Sequence, residues 1–203
     1  MLAEFKSIPP VFHKTHDIGY IGFTYFKESF VSQGIAYFTR WSKLSDITVS
    51  HALVVTGDNQ CIEALAEKDC VTISPLTKYF DNPKCAIFFK KPRDWAEAVG
   101  RRIADTALTQ KDCKYDYKLI AADFVRGNFI GHLIDECFNG KPEDILTKLL
   151  NNDKRWICSE LAAYALDEQP EYHDKGILNK ESDTITPQEL FEDGTIFEAW
   201  KAS

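Results

Sequence analysis

Residues 47–65 restrict the possible folds more than any other stretch of the chain. Ile47–Thr56 is rich in β-branched residues, Gly57-Asp58-Asn59 is a turn signal, and Gln60–Leu65 reads as a returning strand. A hairpin is the expected result. Cys70–Ile73 and Cys85–Lys90 add two more strand-like runs, so the pattern predicts an antiparallel sheet of at least four strands. Upstream, residues 11–46 are aromatic-rich and read as irregular, with Gly19, Gly22 and Gly34 interrupting any long element and a helix expected only over Phe30–Trp41.

Helical patterns take over after the sheet. Pro92–Thr109 carries Pro and Asp near its start and spaces Trp95, Val99, Ile103 and Ala107 along one face. Tyr117–Phe138, Pro142–Leu150 and Trp156–Leu166 are further helices, the last stopped before Pro170. Thr186-Pro187-Gln188-Glu189-Leu190 reads as a short capped turn. The expected class is α+β, with helices segregated from an antiparallel sheet.

At 203 residues, with 44% hydrophobic and 27% charged side chains, the chain suits one well-buried core, and no Pro/Ser/Gly-rich linker divides it. A single domain over residues 1–203 is expected. The formal net charge of -7 argues against a polyanion-binding face, so no nucleic-acid partner is expected. No stretch is long and apolar enough to span a bilayer, and Met1–Pro10 lacks an apolar signal core, which predicts a cytoplasmic setting. The six cysteines form no C-x-x-C pair, so neither a zinc site nor any other metal or cofactor is expected, and most of them read as small core hydrophobes.

Three residues stand out as chemistry. Cys158 lies at the head of the last long helix, where the dipole and unpaired N–H groups favour a thiolate, the nucleophilic form. His51 opens the first hairpin strand and Glu63 lies on the second. If the turn holds an odd number of residues, Glu63 shares the face of His51 and can orient the imidazole; an even number sends it to the other face. Nucleophile, base and orienting carboxylate are the recurring parts of thiol hydrolases.

The order His, Glu, Cys is the reverse of papain's. The runs Val49-Ser50-His51-Ala52-Leu53-Val54-Val55, Cys61-Ile62-Glu63-Ala64, Tyr115-Asp116 and Ile157-Cys158-Ser159-Glu160-Leu161, with Ile185-Thr186-Pro187 as a closing segment, together resemble the permuted papain-like amidases of the YiiX/YaeF type. These belong to the NlpC-like superfamily, which also holds the lecithin:retinol acyltransferase group. The resemblance implies a circularly permuted papain-like fold, its antiparallel sheet packed against the helix that carries the cysteine. It further implies Cys158 as nucleophile, His51 as base and Glu63 as third member. Tyr115 matches a tyrosine that helps bind the oxyanion, and Ser159 and Glu160 fall where relatives place substrate-contacting groups. The chain departs from the pattern between Tyr115 and Cys158, where a helical insert of about 118–152 is expected. The implied activity is thioester-mediated cleavage of an amide in a small peptide or N-acyl amino acid, including peptidoglycan-derived ones. A lipid acyl hydrolase or acyltransferase and a catalytically inactive binding module are the alternatives.

Overall fold

The computed structural model describes residues 10–27, 45–116, 155–180 and 185–199. The helices expected over 30–41, 117–138 and 142–150, and with them the insert 118–152, lie outside the described residues. In chain order the strands are β1 (Ile21–Phe26), β2 (His51–Gly57), β3 (Gln60–Leu65), β4 (Cys70–Ser74), β5 (Cys85–Lys90), β6 (Lys114–Tyr115) and β7 (Arg155–Trp156). The helices are α1 (Thr77–Phe80), α2 (Glu97–Leu108), α3 (Cys158–Asp167) and α4 (Pro187–Glu192). Among the described residues the strands form one sheet in the order β5-β1-β2-β3-β4-β6-β7. Every pairing is antiparallel except the short β6–β7 contact, which is parallel. The class is therefore α+β, as the pattern predicts, and no described helix is long and apolar enough to cross a membrane.

The sheet is buried on both sides. Ile21, Phe23, Ala52, Val54, Ile62 and Ala64 pack in one cluster with Val99, Ile103 and Ala107 of α2 and Leu161, Ala162 and Ala165 of α3. Leu53, Val55 and Cys61 form a second, smaller cluster with Leu76 and Tyr79 from the α1 region. Alternation of side chains along a strand explains the division, since neighbouring residues serve opposite faces.

The hairpin decides which face receives each residue. Val54 pairs with Ile62 and Val55 with Cys61, but Gly57 pairs with Gln60, so Thr56 is one extra residue on β2. The connection itself is the two-residue turn Asp58-Asn59. The bulge at Thr56 supplies the odd residue. Carried along the ladder, this register puts His51, Leu53, Val55, Cys61 and Glu63 on one face. Asn59 Oδ1 then accepts the Thr77 N–H at 2.9 Å, and His16 Nε2–H donates to the Asp58 carbonyl at 3.2 Å, bracing the turn from both sides.

Three expectations are corrected. The first strand, β1, lies within the stretch read as irregular. Gly22 does not break it, because a Cβ there would stand 2.5 Å from Leu53 Cδ1 and 3.2 Å from Phe89 Cε1, so its bareness admits neighbours from both sides. The helix expected from Pro92 begins only at Glu97. Pro92 bridges to Phe197, Asp94 adopts a left-handed backbone (φ 56°), and the Trp95 indole N–H donates to the Ile18 carbonyl at 3.0 Å. Last, Trp156 belongs to β7 rather than to a helix. It pairs with Tyr115 and gives its carbonyl to the Asp116 N–H at 3.1 Å. The capped turn at residue 186 forms as read, with Thr186 Oγ1 accepting from the Glu189 N–H at 3.2 Å and Pro187 in the first helical turn.

Candidate active site

Because β7 ends at Trp156 and Ile157 is extended (φ −92°, ψ 165°), α3 starts with Cys158 as its first helical residue. The first bond of the helical ladder is Leu161 N–H to Ile157 O at 3.1 Å. The N–H groups of Cys158 and Ser159 therefore have no acceptor inside the helix, as at any helix start. Cys158 is buried to 5% exposure, and α3 packs across β2 and β3 through Leu161, Ala162 and Ala165. This places the thiol beside the first residue of β2.

That residue is His51. Its Nε2–H donates to Glu63 Oε2 at 2.6 Å, a short charge-assisted bond. The Cys158 side chain lies close enough to the imidazole to favour its protonated form. Burial alone would push the His51 pKa down; the electrostatic influence of Cys158, followed by the bond to and charge of Glu63, reverses this and raises it to about 10. The imidazole keeps 17% of its side-chain surface exposed, whereas Glu63 keeps none.

Glu63 is the buried hub of the group. Tyr79 donates its hydroxyl to the same Oε2 that receives His51, and Lys78 Nζ stands 3.6 Å from Oε1. Burial would raise the Glu63 pKa, but the His51 bond and charge, followed by Lys78 and Ser74, lower it to about 2. An ionised carboxylate beside a protonated imidazole makes a buried ion pair next to the Cys158 side chain. Cys61 and Cys85, in contrast, have thiol pKa values pushed upward by burial, Cys85 to about 12, as core hydrophobes should.

The remaining site expectations divide. Tyr115 is buried on β6, its backbone paired with Trp156 two residues before Cys158. Ser159 has no exposed surface, and its hydroxyl has no partner among the described residues. Glu160 is 6% exposed, and its Oε2 accepts the Ile157 N–H at 2.8 Å. Its carboxylate reaches back to cap its own helix. Gln188 of α4 also supports the site, although sequence gave no sign of it. Its amide accepts the Val49 N–H at 3.0 Å and donates to the Ile47 carbonyl at 3.2 Å, fixing the chain just before His51. Tyr79 and Lys78 were equally invisible in sequence, since an aromatic and a lysine between two strands carry no signal until folding brings Glu63 to them.

Among the described residues one set of side chains has ligand atoms close enough for a metal ion: Asp167, His173 and Asp174, within 4.8 Å of one another at the far end of α3 from Cys158. These groups already bond locally, with Asp174 N–H donating to Asp167 Oδ1 at 2.9 Å. No family model matches the chain, and neither do any of the curated proteins or solved structures with which it was compared.

Proposed function

We propose that the protein is a cysteine hydrolase that cleaves an amide bond in a small peptide or N-acyl amino acid through a thioester, on a permuted papain-like scaffold. The observation that carries this reading is one imidazole acted on by two groups: its Nε2 is bonded to Glu63, and the Cys158 side chain is near enough to favour its protonated form. A core histidine needs one satisfied nitrogen; a general acid–base needs one anchored nitrogen and one facing the nucleophile. The chain order His51, Glu63, Cys158, with the cysteine opening a helix packed on the sheet, is the order the resemblance implies.

In this reading the Cys158 thiolate attacks the amide carbonyl. The tetrahedral oxyanion is received by the Cys158 backbone N–H, with Tyr115 as second donor; one such donor is worth about 3 kcal/mol. Collapse breaks the C–N bond, and the His51 imidazolium gives its proton to the leaving amine. Water then adds to the thioester, His51 takes a proton from it, and the carboxylic acid and thiol are released. Glu63 holds the imidazole in place throughout.

The test is the rate of Cys158 alkylation against pH, followed by mass mapping of the labelled residue, with His51→Ala and Cys158→Ala as controls. Rapid labelling well below the ordinary thiol pKa of about 8.5, slowed by loss of His51, is the expected result, together with hydrolysis of N-acyl amino acid or peptide amides that Cys158→Ala abolishes. Labelling no faster than an ordinary thiol, or insensitive to His51, overturns the reading.

A further inference from the structure

The buried carboxylate of Glu63 serves more than the histidine. Tyr79 O–H and His51 Nε2–H converge on the same oxygen, Oε2, and Lys78 Nζ faces the other, Oε1, at 3.6 Å. Tyr79 cannot turn away: it is 1% exposed, fixed in the cluster of Leu53, Val55, Cys61 and Leu76, with its ring centroid 6.4 Å from that of His51. Two donors on one oxygen compete for one charge. Each hydrogen bond stabilises the anion and so weakens the anion's pull on the other proton.

We propose that Tyr79 is a positioning residue that, together with Lys78, sets how strongly Glu63 holds the proton of His51. Its catalytic meaning rests on the hydrolase reading above, because an imidazolium gripped too firmly is a poor acid for a leaving amine. The coupling itself belongs to Glu63 and its neighbours. The other titratable groups facing the pair are Cys158 from α3, Cys61 from β3 and Cys85 from β5, with the Ser74 hydroxyl from β4 and the Thr24 hydroxyl from β1, whose backbone pairs with His51. Burial and the Glu63 charge push the Tyr79 phenol far upward, so it remains a donor at every pH of interest.

The experiment is an NMR titration of His51 in the full chain carrying Cys158→Ala, which removes the thiol from the measurement. Adding Tyr79→Phe keeps the ring and deletes the donor; the His51 midpoint is expected to rise by about one pH unit, a tenfold gain in proton affinity. Lys78→Gln, at a partly exposed position outside the buried cluster, is expected to move it in the same direction. Leu76→Ala loosens the same apolar cluster without touching the carboxylate and is expected to leave the midpoint in place. A midpoint that stays or falls in Tyr79→Phe, or a shift reproduced by Leu76→Ala, overturns the proposal. Since none of these proteins contains the nucleophile, failure of Cys158 to label rapidly counts against the hydrolase reading alone.

Discussion

Replacing Glu63 by Gln isolates the charge at the centre of the site while keeping its shape. The carboxyl's ordinary value of 4.5 is lowered to about 2 in the fold, with no exposed side-chain surface to screen it. At roughly 1.4 kcal/mol per pH unit, that gap corresponds to about 3 kcal/mol of native-state preference for the ionised form. The sign follows from proton counting. Between pH 4.5 and about 2 the unfolded chain binds the proton and the native chain does not, so the contribution is complete above 4.5 and is lost as pH falls through about 2. Hydrogen bonds to a charged group, worth about 1.5–3 kcal/mol each, give a similar size, because the amide keeps an acceptor for Tyr79 but loses the charge that holds His51. Urea unfolding near neutral pH should therefore show Glu63→Gln less stable by about 3 kcal/mol. With a slope of about 2–3 kcal/mol/M, the midpoint drops by about 1–1.5 M. Repeated at falling pH, the two curves should converge below 4.5. A loss under about 1 kcal/mol, or a difference that persists unchanged at low pH, would refute the assignment of Glu63 as the buried anion of the pair.

Other perturbations test the supports. Gln188→Leu removes both partners of the Ile47–Val49 backbone and should cost about 2 kcal/mol, read from urea midpoints; a neutral effect would show that α4 does not secure the start of β2. Glu160→Ala should lose about 1–2 kcal/mol by the same assay, with Glu160→Gln recovering most of it, since the role seen is a helix cap. Gly22→Ala forces a Cβ to within 2.5 Å of Leu53 Cδ1 and should cost about 1–3 kcal/mol; a thermal midpoint equal to wild type would contradict that packing.

Much of this arrangement was legible in the chain because local chemistry and fold agree there. The hairpin at Asp58-Asn59, the strands at Cys70 and Cys85 and the Thr186-Pro187 cap each rest on short-range rules that tertiary contacts do not overrule. The pairing of His51 with Glu63 was readable only as a condition, since the one-residue bulge at Thr56 that satisfies it leaves no mark on the β-branched pattern. Elsewhere, long-range contacts decide. Gly22 looks like a breaker until Leu53 and Phe89 crowd it, and Trp156 looks helical until Tyr115 claims its backbone. Asp94 ends a plausible first helical turn by its left-handed conformation. Tyr79 escaped notice because its partner is sixteen residues away and meets it only across the folded sheet.

Strand β3 carries a further implication. From Cys61 to Leu65 every residue is buried, and all but Glu63 are apolar, so hydrophobic alternation alone does not tell this strand which face is which. Glu63 does. Only one setting of the strand brings it to His51, Tyr79 and Lys78; a slip of one position strands a charge in hydrocarbon. The carboxylate thus works like the key of a connector, refusing every alignment but one. Even with Cys158 replaced, the fold would still be held to a polar residue at position 63, because without it the middle of the sheet closes out of step.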